Sequence, residues 1–406
     1  AARPMVHIGG LSYSWYLWHW PPLVLAAVWL GVDELPLPTA LLIAVLTYGM
    51  AILSKRYVEE PFHHSPVLRR RPERALRLGG ICVAAGVVAG FVLWVPGAVA
   101  ERFAPDASQA PGAQAVLGAP AQVDPTAGAP EVTPTPVASP DAPAFVPALA
   151  AVRKDAPAVN ADGCNQRYAG VEVPDCVYGV PDAPRTMVLL GDSHAATWFP
   201  ALEVIAQEQG WRLVSITKHG CTMADVTLWN GAIKRTYTEC DEFRANALAR
   251  IEAESPELVV TANRQDYRVM DGGTRLGPSS SAKAIAAGLV RTYAELDRIA
   301  GEVLVLQDNP IPGLDRVECL SRNEDDPAAC DQALADMQSV PRPEKAAARE
   351  AGVTWNPTSW MFCPEKVCST VIGGVVVWRD DDHATATYTR TLAPYLQRII
   401  DRATRT

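Results

Sequence analysis

No Cys-x-x-Cys pair occurs anywhere in these 406 residues, and histidine is scarce, with seven in the chain. That removes the ligand spacing of zinc modules, and no metal site is expected. Basic residues make no excess either: 36 Lys and Arg against 45 Asp and Glu leave a formal charge of −9. This balance argues against a nucleic-acid partner and mildly against polyanionic glycans. From 96 to 157 the chain lacks any hydrophobic period and is rich in Ala and Pro with scattered Thr and Ser. Such a stretch reads as a semi-extended linker that could hold a domain roughly tens of ångströms from a bilayer.

What is present begins with three apolar runs, Leu11 to Gly31, Leu37 to Leu53 and Leu78 to Val95. Each is close to the roughly 17–25 residues needed to cross a bilayer, so 1–95 reads as transmembrane helices. Tyr13, Trp15, Tyr16, Trp18, Trp20 and Trp94 crowd the run ends, as in interfacial belts. Lys55, Arg56, Arg69, Arg70, Arg71, Arg74 and Arg77 lie between the second and third runs, whereas Gly31 to Pro36 carries only acids. Positive-inside orientation puts that basic loop in the cytoplasm and everything after about Val99 outside. The expected location is therefore a multi-pass cell-membrane protein, with the lipid bilayer as partner and its carboxyl-terminal domain extracytoplasmic. His19, between two tryptophans, reads as interfacial packing, with an intramembrane functional role as its rival.

Cysteine usage agrees with this topology, because Cys82 falls in a run and the other eight all follow the linker. An even number outside the membrane implies disulfides. Pairing in sequence order closes four short loops: Cys164 with Cys176, Cys221 with Cys240, Cys319 with Cys330, and Cys363 with Cys368.

In the exterior part, 158–406, strands at Thr186 to Leu190, Arg212 to Ile216, Glu257 to Thr261, Glu302 to Leu306 and Val353 to Asn356 alternate with helices. The helices fall near Ala195 to Gln209, Cys240 to Glu254, Ala282 to Ala300 and Lys345 to Ala351. Alternation of this kind predicts an α/β fold, a parallel sheet between helix layers, with its site at the carboxyl ends of the strands. The first strand runs straight into Gly191-Asp192-Ser193-His194, and a short strand at Val375 to Trp378 precedes Asp380-Asp381-Asp382-His383. A serine hydroxyl is a weak nucleophile until an imidazole takes its proton, and the imidazole needs an acceptor to orient it. Ser193 therefore reads as nucleophile, His383 as general base and acid, and Asp380 as the group holding the imidazole, with Asp381 or Asp382 as replacements. Asp192 and His194 read as structural, tying the turn and capping the following helix.

Gly191 to Ser193 and Asp380 to His383 resemble the first and last blocks of the SGNH (GDSL-like) hydrolase family. The resemblance implies a three-layer αβα, flavodoxin-like domain and an oxyanion hole built from the Ser193 N–H, Gly220 and Asn263. The third block departs from the family's Gly-x-Asn-Asp, reading Thr261-Ala262-Asn263-Arg264. Arg264 is thus a candidate to donate in place of Asn263 or to hold an acidic group on the acceptor, and Asn309 with Pro310 a candidate to line the same cleft.

Leu11-Ser12-Tyr13-Ser14-Trp15-Tyr16-Leu17-Trp18-His19-Trp20-Pro21 and Arg56-Tyr57-Val58-Glu59-Glu60-Pro61-Phe62 resemble the last helices of the acyltransferase-3 membrane family. The chain opens at Ala1 inside such a segment, and is expected to be the carboxyl-terminal part of a membrane acyltransferase fused to an extracytoplasmic SGNH domain. The resemblance implies O-acylation, usually O-acetylation, of a cell-surface glycan or glycolipid. It implies acetyl-CoA as donor for the full membrane part and no cofactor in the exterior domain. An esterase removing the same groups, and a glycan-binding module without catalysis, are the alternatives.

Overall fold

Residues on successive positions of each central strand in the carboxyl-terminal part enter two different cores, and this decides its architecture. The computed structural model describes residues 3–30, 35–63, 72–102, 110–118, 145–264, 266–337 and 342–405, and the chain divides into two compact units, Ala1–Pro96 and Gly97–Thr406. In strand β3, Met187 and Leu189 join one apolar cluster while Val188 and Leu190 join the other. Strands buried on both faces read as continuous apolar runs, as this one does.

The main sheet contains β1 (Asn165–Gln166), β2 (Val177–Gly179), β3 (Arg185–Gly191), β4 (Trp211–Lys218), β5 (Leu258–Ala262), β6 (Glu302–Leu306) and β7 (Thr354–Asn356). Its order is β1-β4-β3-β5-β6-β7, all in parallel, with β2 added antiparallel to β4. The chain leaves β3 for β4 on one side and returns to β5 on the other, so the strand order reverses at β3. Clefts open at the carboxyl ends of strands where this happens.

Among the described residues, five helices of eight or more residues cover the two faces. On one lie residues of α4 (Phe199–Gln209) and α8 (Ala393–Ala403); on the other, residues of α5 (Thr238–Glu254), α6 (Pro278–Ile299) and α7 (Glu344–Ala351). The expected α/β three-layer fold is the observed one. The helix expected from Ala195 is two: Ser193–Thr197 and α4, which joins it at Trp198 and has Pro200 in its first turn. A proline there donates no N–H, which favours a fresh helix start.

The short strand expected before the acidic loop is present as Val375–Val376, which pairs with Val371–Ile372 and bridges Val146, off the main sheet. One sequence expectation is corrected: the span 96–157 is not linker throughout. Ala113, Leu117, Phe145, Val146 and Val152 are buried, the Ala113 N–H donates to Thr391 Oγ1 at 3.1 Å, and Tyr395 Oη donates to the Gly118 carbonyl at 2.5 Å. These apolar islands are too short to show a period, yet each fills a gap in the core. The rest of that span, 103–109 and 119–144, lies outside the described residues.

The disulfides join Cys164 to Cys176, Cys221 to Cys240, Cys319 to Cys330 and Cys363 to Cys368, the sequential pairing.

In the amino-terminal unit, α1 (Arg3–Leu30), α2 (Leu37–Ser54) and α3 (Pro72–Arg102) cover the three apolar runs. Among the described residues, one helix, Leu37–Phe62, is long and apolar enough to cross a membrane. Ser14 Oγ donates to Glu59 Oε2 at 2.8 Å, and Trp15 meets Tyr48 edge-on at 5.4 Å. His19 Nδ1 lies 3.0 Å from the carbonyls of both Trp15 and Tyr16 in its own helix. Arg69, Arg70 and Arg71 of the basic loop lie outside the described residues.

Candidate active site

β3 ends at Gly191 with φ +150°, where an added Cβ would stand 2.1 Å from the Ala262 carbonyl oxygen and 2.6 Å from Ala195 Cβ. Neither obstacle is a flexible side-chain end, so glycine is required. Gly191→Ala is expected to cost roughly 2–5 kcal/mol through overpacking and backbone strain, checked by thermal unfolding of the purified chain.

Asp192 follows as the N-cap of the Ser193–Thr197 helix, its Oδ1 accepting the His194 N–H at 2.8 Å. Its Oδ2 accepts the Arg264 N–H at 2.9 Å and the Tyr267 hydroxyl at 2.8 Å. One buried carboxylate thus fastens the serine turn to the loop after β5.

Ser193 Oγ lies 2.9 Å from His383 Nε2, although the two residues are 190 positions apart. The imidazole arrives on a tight turn closed by the Trp378–Ala384 bridge and by the Arg379 N–H donating to the His383 carbonyl at 3.0 Å. Asp380 Oδ1 holds that turn by accepting the N–H groups of Asp382 (3.1 Å) and His383 (2.6 Å). Two carboxylates reach His383 Nδ1. Both oxygens of Asp380 lie at 3.0 Å and Asp382 Oδ1 at 2.6 Å, while Asp381 is exposed. Burial disfavours the imidazolium, but the hydrogen bonds to Asp380 and Asp382 outweigh it and hold the His383 pKa above its ordinary value.

Sequence reasoning missed a second dyad beneath the first. His194 Nδ1 lies 2.6 Å from Asp308 Oδ1, both side chains being 1% exposed, and the ring centroid of His194 is 5.1 Å from that of His383. Burial opposes charge on His194, yet Asp308 beside it raises its pKa to about 10. The resulting imidazolium faces Asp382 Oδ2 at 3.8 Å. Burial would raise the Asp382 carboxyl, but the charge of His194 and the close contact with His383 hold it far below the usual carboxylate range. Asp308 lies two residues past the end of β6, where the strand-end rule that singled out Asn309 applied to it equally.

Because the folded pKa of His194 is raised, its contribution to stability is complete below about 6.5, the unfolded value, and is lost as pH rises towards about 10. Asp308→Asn removes the partner of a buried charge and is expected to cost about 3–5 kcal/mol at neutral pH. Melting temperatures of both proteins across pH 6 to 10 check this: the wild type declines over that window and the variant declines less.

A cavity of about 430 Å³ opens over the serine, with Ser193, Gly220, Tyr168, Trp229, Arg264 and His383 in its wall. Gly220 turns there with φ +60°, and an added Cβ would come within 2.9 Å of Asn230 Nδ2. Asn263 follows Ala262, which is in register with Gly191, so it stands beside the serine turn. Its Oδ1 accepts the Met223 N–H at 2.7 Å, and its Nδ2 lies 3.4 Å from Thr261 Oγ1. His219, also in the wall, has its pKa lowered to about 4, chiefly by burial, and is neutral.

The two acceptor-binding candidates stand differently from expectation. Asn309 is fully buried and its Nδ2 donates to the Asp382 carbonyl at 3.0 Å, so it supports the acidic turn from behind and takes no part in the cavity wall. Arg264 does face the cavity, but its guanidinium is engaged by Asp382 through Nη1 and by Asp266 through Nε and Nη2. A cation is already supplied where Asp382 needs one. Ligand atoms of His194, Asp382 and His383 lie within 4.8 Å of one another, as do those of Asp380, Asp381 and Asp382.

No curated protein matches the chain. Among solved structures, the periplasmic domain of the lipopolysaccharide acetyltransferase of Salmonella ser. Paratyphi A is 14% identical, with 55% of this chain and 86% of that one covered at a TM-score of 0.40. An acetyl-xylooligosaccharide esterase mutant from Geobacillus Stearmophilus is 14% identical, with 54% of this chain and 96% of that one covered at a TM-score of 0.31. The model of the SGNH domain found fused to AT3 domains matches residues 161–398, which include the whole Ser193–His383 arrangement. The chain belongs to that SGNH family.

Proposed function

We propose that this chain is a membrane-anchored O-acyltransferase that moves an acyl group, acetyl in the first instance, onto a hydroxyl of a cell-surface glycan or glycolipid. The observation that carries the reading is the 2.9 Å contact between Ser193 Oγ and an imidazole braced by two carboxylates, within a cavity that also presents an indole and a phenol. Ser193 Oγ attacks the acyl carbonyl carbon while its proton passes to His383 Nε2. Negative charge then develops on the carbonyl oxygen, for which the Ser193 N–H, Gly220 N–H and Asn263 amide are the proposed donors. Collapse expels the donor's leaving group with the His383 proton and leaves an acyl-serine. An acceptor hydroxyl gives its proton to His383, attacks the ester and restores the serine. Acetyl-CoA is the donor proposed for the membrane family that the amino-terminal helices resemble, and no residue of this chain is assigned to it.

Four disulfides support an extracytoplasmic place for the second unit, since such bonds persist in oxidising compartments. The multi-pass membrane location rests on the three apolar runs and the basic loop. If water replaces the acceptor, the same residues make an esterase. The purified chain in detergent, given p-nitrophenyl acetate with and without a glycan oligomer, separates the readings. Acylated oligomer is the expected product, free acetate alone would make the chain an esterase, and absent turnover would favour a binding module.

A further inference from the structure

We propose that the acceptor is an anionic glycan, recognised by Arg268 and Arg275 beside the indole of Trp229; this rests on the acyl-transfer reading of the same cavity. The wall opposite the catalytic turn is a separate four-stranded sheet in the order Arg235–Thr236, Leu228–Asn230, Arg268–Asp271, Thr274–Arg275. Trp229 pairs with Arg268 and Leu228 with Val269. Alternation then sends Leu228 and Val269 into the core, where both are buried, and turns Trp229 and Arg268 to the other face. Arg275 pairs with Met270, two residues from Arg268, and so shares that face. Its guanidinium carbon lies 5.2 Å from the Trp229 ring centroid.

All three side chains line the cavity that holds Ser193. The cavity wall carries three arginines, Arg264, Arg268 and Arg275, and two carboxylates, Asp266 and Asp382, and Arg264 engages both acids. Among the described residues, Arg268 and Arg275 have no carboxylate partner. Two uncompensated guanidinium groups flanking an indole suit a sugar ring that bears a carboxylate or a phosphate, because a guanidinium fork binds either anion through paired N–H groups. The formal charge of −9 weighs little against this, since charges beyond a Debye length of about 8 Å are largely screened at physiological salt.

Calorimetry on the full chain in detergent tests the assignment with three probes: an oligogalacturonate, its neutral methyl ester, and a phosphorylated oligosaccharide. At least one anionic probe is expected to bind about tenfold or more tighter than the neutral one, with the advantage falling as salt rises. Arg268→Gln with Arg275→Gln is expected to abolish that advantage, and Lys at both positions to restore part of it. Equal affinity for neutral and anionic probes in the wild type, or an anionic preference that survives the double Gln change, would overturn the proposal. If the Gln variant fails to fold, the salt dependence of the wild type and the Lys variant decides. Ser193-dependent release of nitrophenol in the same preparation reports on the catalytic reading separately, so failure of the anion preference and failure of the acyl-transfer reading are told apart.

Discussion

Replacing Ser193 by alanine is expected to slow p-nitrophenyl acetate turnover by about 10³-fold or more while leaving the melting temperature within about 2 °C of the wild type. The two halves of that expectation have separate causes. Ser193 Oγ is bonded to His383 Nε2, so its removal ends acyl-enzyme formation. The turn that carries it is held by other groups: Asp192 as cap, with its contacts to Arg264 and Tyr267, and Gly191 against Ala262. Chemistry and stability therefore part company at this position. A variant that loses both would show that the hydroxyl serves the fold.

The second large effect is expected at Asp382. Its carboxylate serves three cationic or cation-forming groups at once, Arg264, His194 and His383. Asp382→Asn leaves Arg264 and His194 undercompensated and lets an amide face Nδ1, and kcat/KM should fall by roughly 10²–10⁴. Asp380→Asn is the informative comparison, because its amide oxygen can still accept the N–H groups of Asp382 and His383 that shape the turn. A smaller fall at Asp380 would assign the orienting role to Asp382.

The pH profile carries the same information with a definite sign. His383 must be neutral to take the serine proton, and its pKa is raised, so activity is lost as pH falls through a value above the ordinary 6.5 or so. Removing Asp382 withdraws a group that favours the imidazolium and moves this limb to lower pH. A limb that stays in place in Asp382→Asn would mean that Asp380 alone sets the basicity of His383.

How much of this was legible depended on whether chemistry sat in contiguous residues. Gly191 to Ser193 ends a long apolar strand and Asp380 to His383 lies in one turn, so both could be read directly. The parallel sheet was legible because strands such as Thr186 to Leu190 are buried on both faces and therefore apolar throughout. Asp308 escaped because position after a strand marks a cleft but not a role, and its role comes from His194 packed against it. The Trp229 wall escaped because its strands are two to four residues long, too short for a period to show. Asn309 was singled out by position alone, and packing turned its side chain to the backbone of the acidic turn. The islands at Ala113 to Leu117 and Phe145 to Val146 were hidden by the Ala and Pro around them.

The most direct test of the account is a search for the acyl-enzyme itself. The full chain would be mixed with p-nitrophenyl acetate, quenched in acid, digested, and the peptide holding Ser193 weighed by mass spectrometry. One acetyl group on Ser193 is the expected result, present in the wild type and absent from Ser193→Ala. Acetate released with no label on Ser193, or a label that survives the alanine change, would contradict it.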